Sequence, residues 1–386
     1  MLSPSVERVE FGNLFLSTPA FHTYALSLVR DGLPSLTELV LCDAGSSSQI
    51  NHVWATLAGM STRLQSLTLR FPNAFVLETT TLRKLAQQLQ NLTSLTLDVH
   101  TESHRQSKDT QDQVLPSLHT LHLVNRSETK LCDCYPSFLL EKATSVTFSL
   151  TGSVANNDAF SESLDTLSTL ELLKKVEIEG YPNQYVTVSS VVPFLQRLQL
   201  EELHLQKMWG FRQEQGEQSA YHIVQGLVDE ISSNSRLRCL SLPIWRSRSS
   251  GYDAIKYHPV SCLLYAAQHA KGLQRMSLSI DSAAQGPNGE TVTSMVQNWT
   301  NPGGSSELRY LEIAEMRDSN FTPNDYRNIA RLLDLIFPNL ISVTMIKNPQ
   351  LSPQWEEHWQ LIEEYRQMQK SLRLYQGSRK LFTTTV

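Results

Sequence analysis

The apolar positions of this chain recur in one arrangement, Leu-x-x-Leu-x-Leu, eleven times between residues 36 and 345. The regular copies are Leu36/Leu39/Leu41, Leu64/Leu67/Leu69, Leu92/Leu95/Leu97 and Leu118/Leu121/Leu123. Looser copies follow at Ala143/Val146/Phe148, Leu173/Val176/Ile178, Leu200/Leu203/Leu205 and Leu237/Leu240/Leu242. The series ends with Leu273/Met276/Leu278, Leu308/Leu311/Ile313 and Leu340/Val343/Met345. Successive middle residues are 28, 28, 26, 25, 30, 27, 37, 36, 35 and 32 positions apart. In each copy the last two apolar residues alternate with polar ones, the period of a strand with one buried face.

The segments between the triplets carry a different period. Leu82, Leu85, Ala86 and Leu89 share one side of a predicted helix, as do Tyr221, Val224, Leu227, Val228 and Ile231. A third helix is predicted through Ile329, Leu332, Leu333 and Ile336, with Thr322 as N-cap and Pro323 at the first helical position. Leu-Pro-Ser-Leu at 33–36 and 115–118, and Phe-Pro-Asn-Leu at 337–340, lead into strands, with proline ending the preceding helix.

One such strand–crossover unit cannot bury its apolar side alone, so neighbours must stack on it. Periods of this length predict an α/β leucine-rich-repeat solenoid, a horseshoe with parallel strands on the concave face and helices on the convex face. The predicted layout is a solenoid over 1–350 of eleven or twelve irregular repeats, a capping helix over 351–375 and a flexible tail over 376–386. Val6, Val9 and Phe11, 30 residues ahead of the first triplet, supply the degenerate twelfth copy, and nothing polar caps that end. Trp355, Trp359, Ile362, Met368 and Leu372 are read as one face of the capping helix. Later repeats are lengthened by polar insertions at 211–219, 246–256 and 281–290, and 100–113 reads as a polar loop.

Charge and composition narrow the function. A net charge of -5 with a pI near 6.1 gives no basic footprint for nucleic acid. Five scattered cysteines, Cys42, Cys132, Cys134, Cys239 and Cys262, are an odd set and suit reduced thiols in cytoplasm or nucleus. No secretory leader and no membrane span is read, so the four Asn-x-Ser/Thr triplets at Asn91, Asn125, Asn298 and Asn320 count as coincidental.

Catalytic signatures do not emerge: there is no phosphate-binding loop, no Gly-x-Ser-x-Gly and no His-Glu-x-x-His. The reading is therefore non-enzymatic, with no cofactor and no metal. Asp98, His100, Glu102 and His104 alternate like ligands but fall in a loop-like segment, and Cys132-Asp-Cys134 lacks zinc spacing. The residues flanking each middle position face outward on the strands and are mostly Ser and Thr. Two successive repeats differ: Lys175, Glu177, Glu179, Glu202, His204 and Gln206 form an acidic, hydrogen-bonding set, followed by Met208 and Trp209. Aromatics beside charge have the composition of a protein-binding hot spot; the plainer alternative is a solvated face with Trp209 in the core.

The repeats lack the asparagine that normally stands three residues after the last leucine; Ala44, Pro72, His100 and Arg126 stand there. With the proline-bearing lead-ins and the tryptophan-bearing terminal helix, the chain resembles the leucine-rich-repeat region of fungal F-box proteins. The resemblance implies a substrate-recognition module that holds a protein ligand on its concave face or loop rim. An F-box would bind the ubiquitin-ligase adaptor, but no Leu-Pro-x-Glu-Leu segment precedes Val6, so adaptor binding would require one upstream. Two alternatives belong to other classes: a regulatory leucine-rich-repeat protein such as a GTPase activator, and an extracellular recognition receptor.

Overall fold

The structure, a computed structural model, describes residues 3–12, 18, 20, 24–42, 63–77, 79–101, 115–126, 135, 137–151, 157–180, 185–186, 188–197, 200–206, 210–211, 220–233, 236–243, 258–300, 306–346 and 354–383. The chain divides into two compact units, one of residues 1–184 with 197–200, the other of 185–196 with 201–386.

In the first unit seven strands lie side by side in chain order: β1 (Arg8–Phe11), β2 (Glu38–Cys42), β3 (Ser66–Leu77), β4 (Ser94–Thr101), β5 (Thr120–Asn125), β6 (Ser145–Leu150) and β7 (Lys175–Glu179). Every pairing is parallel. Middle residues of successive triplets stand opposite one another, Val9 to Leu39, Leu67, Leu95, Leu121, Val146 and Val176. The repeat length read along the chain is thus the register of the sheet, and the degenerate first copy is a true strand. Its Val9 and Phe11 are only half-buried, whereas Leu39 and Leu41 are fully enclosed.

Crossovers follow the helical period. Helix α1 (Leu26–Gly32), α2 (Thr79–Gln88) and α3 (Asn157–Ser168) precede β2, β4 and β7. Leu82, Leu85, Ala86 and Leu89 of α2 and its C-terminal turn close with Leu67, Leu92 and Leu95 around a small apolar void. Strand β4 runs on to Thr101 and takes in the first two residues of the polar segment 100–113; residues 102–113 lie outside the described residues.

The second unit repeats the scheme with β9 (Glu202–Gln206), β11 (Cys239–Ser241), β12 (Arg275–Ile280), β13 (Tyr310–Glu315) and β14 (Ser342–Met345), again all parallel. Leu203, Leu240, Met276, Leu311 and Val343 stand in register. A short parallel pair, β8 (Tyr185–Val186) with β10 (Gly210–Phe211), lies outside that sheet. The helices are α4 (Val188–Arg197), α5 (Ala220–Ser233), α6 (Ser261–His269), α7 (Val292–Asn298), α8 (Pro323–Ile336) and α9 (Gln354–Thr383). Thr322 and Asp325 cap α8 reciprocally, with Pro323 at its start as predicted. The insertion 281–290 is ordered by an Asx turn, in which Asp281 Oδ1 accepts from the Ala283 and Ala284 N–H groups, and by Gly289 at φ 76°. The insertions 212–219 and 246–256 lie outside the described residues.

Two backbone devices hold one repeat to the next. Among the described residues the segment before a strand commonly turns with an i to i+3 bond, Leu36 N–H to Leu33 O, Leu118 N–H to Leu115 O and Leu340 N–H to Phe337 O among them. Pro34, Pro116 and Pro338 therefore occupy the second turn position, which their fixed φ favours. The turn is bracketed by buried residues, which extends the core pattern three positions upstream of the triplet, to Leu33, Leu89, Leu115, Leu140, Ala270 and Phe337. In addition, within each unit a single carbonyl of one repeat accepts two successive N–H groups of the next. Glu7, Thr37, Gln65, Thr93, His119 and Thr144 do so in the first unit, and Glu201, Arg238, Gln274 and Arg309 in the second.

Helix α9 packs on α8 and β14 and closes the last strand. Val343 N–H, on the open edge of β14, donates to Glu363 Oε2 at 3.2 Å, which removes an unpaired edge group. Arg366, 2% exposed, donates to Asp334 at 3.1 Å, Glu363 at 2.5 Å and the Leu340 carbonyl at 3.0 Å. Trp359 Nε1–H donates to the buried Glu315 at 3.2 Å. Burial pushes the Glu315 carboxyl up from its ordinary range, while N–H groups of Ser282 and Arg317 and the Arg317 charge pull the other way. Phe321 is stacked on His358 and met edge-on by Trp355, with the Arg317 guanidinium 4.0 Å over its ring.

Two sequence expectations change here. The helix extends to Thr383, past residue 375. Met368 and Leu372 do not share the buried face of Trp355, Trp359 and Ile362 but are about half exposed, because Arg366 takes the next inward position. Removing one partner from a buried ion pair costs about 3–5 kcal/mol. Arg366→Ala should lose stability of that order in denaturant unfolding and speed hydrogen exchange along α9. Met368→Ala should change stability by less than about 0.5 kcal/mol; equal losses from both would contradict the anchoring role of Arg366.

Candidate functional site

Parallel, in-register strands line up their outward residues in rows. In the first unit one row runs Thr68, Thr96, His122, Thr147 and Glu177, and the next Arg70, Asp98, Val124, Ser149 and Glu179. In the second, Glu202, Cys239, Arg275, Tyr310 and Ser342 form one row, and His204, Ser241, Ser277, Glu312 and Thr344 the other. These side chains alternate with the enclosed leucines and face away from the helices.

Hydrogen bonds fix several of them across strands. Arg126, just after β5, grips Asp98 with two bonds of 2.5 and 2.9 Å. This arginine stands at a position where an asparagine is usual, and Asp98 is engaged by it rather than poised for a metal. Among the described residues no group of three His, Cys, Asp or Glu is placed to hold a metal ion. His122 Nε2 lies 3.1 Å from Ser149 Oγ, and the Ser149 hydroxyl donates to Glu179 Oε2 at 3.0 Å. The serine has one proton and Glu179 receives it, so His122 must be the donor to Ser149. The contacts hold His122, Ser149 and Glu179 in fixed relation across three neighbouring strands.

In the second unit His204 Nδ1 lies 2.9 Å from Ser241 Oγ, with Glu202 3.4 Å from its other nitrogen. Ser277 donates to Glu312 Oε2 at 2.6 Å. Ser149, Ser241 and Ser277 are buried; Ser149 sits low between Val124 and Glu179, and the adjacent Ser241 and Ser277 sit low between His204 and Glu312. Arg275 and Tyr310 stand highest: both are exposed, and the guanidinium lies 5.2 Å over the tyrosine ring.

Of the acidic set read from the sequence, Lys175, Glu177 and Glu179 lie on β7 and Glu202, His204 and Gln206 on β9, all half-buried. Glu179 joins His122 and Ser149, and His204 joins Glu202 and Ser241. Met208 and Trp209 lie outside the described residues. Arg275 with Tyr310, a pairing of hot-spot composition, was missed as a site. Its signal was an aromatic at an outward strand position otherwise held by small polar residues.

The fold is that of leucine-rich-repeat proteins. Similar solved structures include the leucine-rich-repeat-containing protein LegL7 from Legionella pneumophila, 14% identical, with 92% of this chain and 98% of that one covered and a TM-score of 0.42. Another is the yeast Rad7–Elc1 complex, 14% identical, with 83% and 79% covered and a TM-score of 0.37. No protein-family model and no curated protein matches this chain. The leucine-rich-repeat assignment accordingly rests on the triplets and their register.

Burial lowers the pKa of His122 from its ordinary 6.5; Glu179, Asp98 and Glu177 oppose that shift and Arg70 adds to it. The folded state then binds fewer protons than the unfolded one as pH falls through 6.5, so stability drops from there down to the folded pKa and no further. His122→Gln should flatten the stability profile between about pH 5 and 7, read by urea unfolding at several pH values. An unchanged slope in the variant would mean that His122 does not titrate as its surroundings require.

Proposed function

We propose that this leucine-rich-repeat chain is a protein-binding scaffold that acts without catalysis. The observation that carries the reading is the pair of outward rows on each unit, whose ionic and hydrogen-bonding groups are held across strands by one another. Such side chains have already lost much of their rotamer freedom, so a ligand that meets them orders little more on binding. On the first unit a protein segment offering lysine or arginine to Glu177 and Glu179 matches this chemistry, and on the second a segment offering a carboxylate or apolar surface to Arg275 and Tyr310 does. Aromatic and arginine anchors carry most of the energy in such contacts, and the surrounding serines and threonines supply fit.

The finer reading is a substrate receptor of the F-box leucine-rich-repeat kind, acting in cytoplasm or nucleus, with the bound protein presented to a ubiquitin ligase. The proline-bearing turns and the irregular repeats without asparagine support it. Among the described residues no helix is long and apolar enough to cross a membrane, and Cys42, Cys239 and Cys262 are in no disulfide. An adaptor contact would belong to an F-box segment.

Affinity capture followed by mass spectrometry tests the scaffold. Glu177→Lys with Glu202→Lys should weaken the captured partner at least about tenfold, the effect of losing about 1.4 kcal/mol. Arg275→Ala with Tyr310→Ala should do the same without unfolding the chain. A partner held equally by wild type and both variants would remove the strand face as the binding surface.

A further inference from the structure

On the second unit Arg275 and Tyr310 stand side by side in one row, between Cys239 on β11 and Ser342 on β14. Both are exposed, Tyr310 to 38%, whereas Cys239 and Ser342 are short and half-buried, so no neighbour in the row shields the pair. The guanidinium carbon lies 5.2 Å from the ring centroid. A guanidinium resting on an aromatic face keeps the N–H groups at its edge available for in-plane hydrogen bonds.

Among the described residues Arg275 has no carboxylate partner; its one charge contact is the tyrosine ring. The carboxylates of these rows are engaged by other side chains: Ser277 donates to Glu312 at 2.6 Å, and Glu202 lies 3.4 Å from the His204 ring. Before the same strands, Glu307 pairs with Arg238 at 3.4 Å. Arg309, next to Tyr310 in the chain, is exposed and likewise forms no ion pair among the described residues. Ile341 is 47% exposed, and its N–H bonds to the Arg309 carbonyl at 2.8 Å. Two cations without carboxylate partners thus adjoin one aromatic ring, with an aliphatic side chain on the next repeat.

We propose that Arg275, Arg309 and Tyr310 form a docking surface for an acidic peptide segment of a partner protein. An aspartate or glutamate of that segment meets Arg275, and an apolar side chain beside it lies on Tyr310 and Ile341. This occupant, which rests on the strand-face reading above, follows from charge and shape. A carboxylate accepts two parallel bonds from the guanidinium edge, the strongest pairing open to it. A basic segment would instead meet like charge at both arginines. Cys239 and Ser342 are small enough to let a chain run past the pair on either side, so the carboxylate belongs to a side chain and not to a chain terminus.

Fluorescence anisotropy of the full chain tests this with a labelled peptide alternating glutamate and phenylalanine, blocked at both ends, against the same peptide with lysine for glutamate. The glutamate peptide should bind at least about tenfold tighter than the lysine peptide, and should weaken as salt rises from about 0.05 to 0.5 M. Arg275→Glu should abolish the preference. Tyr310→Ala should weaken the glutamate peptide at least about fivefold, whereas Tyr310→Phe, which keeps the ring, should change it less than about twofold. Both positions are exposed, and circular dichroism checks that each variant remains folded. Equal affinity for the two peptides, binding of neither, or a preference that survives Arg275→Glu would overturn the proposal. If one of these occurs while Arg275→Ala with Tyr310→Ala still releases a captured partner, the acidic occupant fails and the strand-face reading stands. A captured partner indifferent to every strand-face variant sinks that reading itself.

Discussion

The structure depends on burial between repeats. A strand with three aliphatic residues on one side has nowhere to hide them except against the same three residues of its neighbours. Leu39, Leu67, Leu95 and Leu121 are each closed off because they stand opposite one another in register. Each enclosed leucine contributes about 1.5–3 kcal/mol relative to exposure, and it does so only while both flanking repeats are in place. The half-buried Val9 and Phe11 show the same rule at an end, where one neighbour is missing from the packing. Within each unit, the carbonyl that accepts two N–H groups of the following repeat fixes the stacking distance, so turns and core agree on one register.

That register has a second consequence on the opposite side of the strands. A row of outward positions brings together residues 25 to 37 apart in the chain, and polar ones among them meet at hydrogen-bonding distance. Arg126 with Asp98, His122 with Ser149 and Glu179, and Ser277 with Glu312 are all products of the repeat length. They hold the outward surface in one arrangement and give it mixed charge.

The end of the second unit meets a different demand. A terminal strand leaves edge groups unpaired and one side of its core bare, and α9 answers both with Glu363 on the Val343 N–H and with Trp359 and Ile362 over the core. Fixing the helix takes a buried ionic cluster around Arg366 and Glu315, which apolar packing alone would not orient. The helix is longer than the edge that it covers, and its far face is left with an apolar row of its own.

The sequence by itself determined the repeats, their spacing, the crossover helices and the α8 cap, because strand and helix periods and capping residues are local properties of the chain. It also placed Glu177, Glu179, Glu202 and His204 on outward positions, since alternation alone decides which side of a strand a residue takes. Only the tertiary structure decided which outward residues meet, because Ser149 gains His122 and Glu179 through register between repeats and not through anything near it in the chain. It decided as well that Arg275 and Tyr310 rise above their rows, and that Met368 and Leu372 turn away from the core. The terminal helix carries apolar residues on both sides, and periodicity cannot choose between two such faces; the buried position of Arg366 makes that choice.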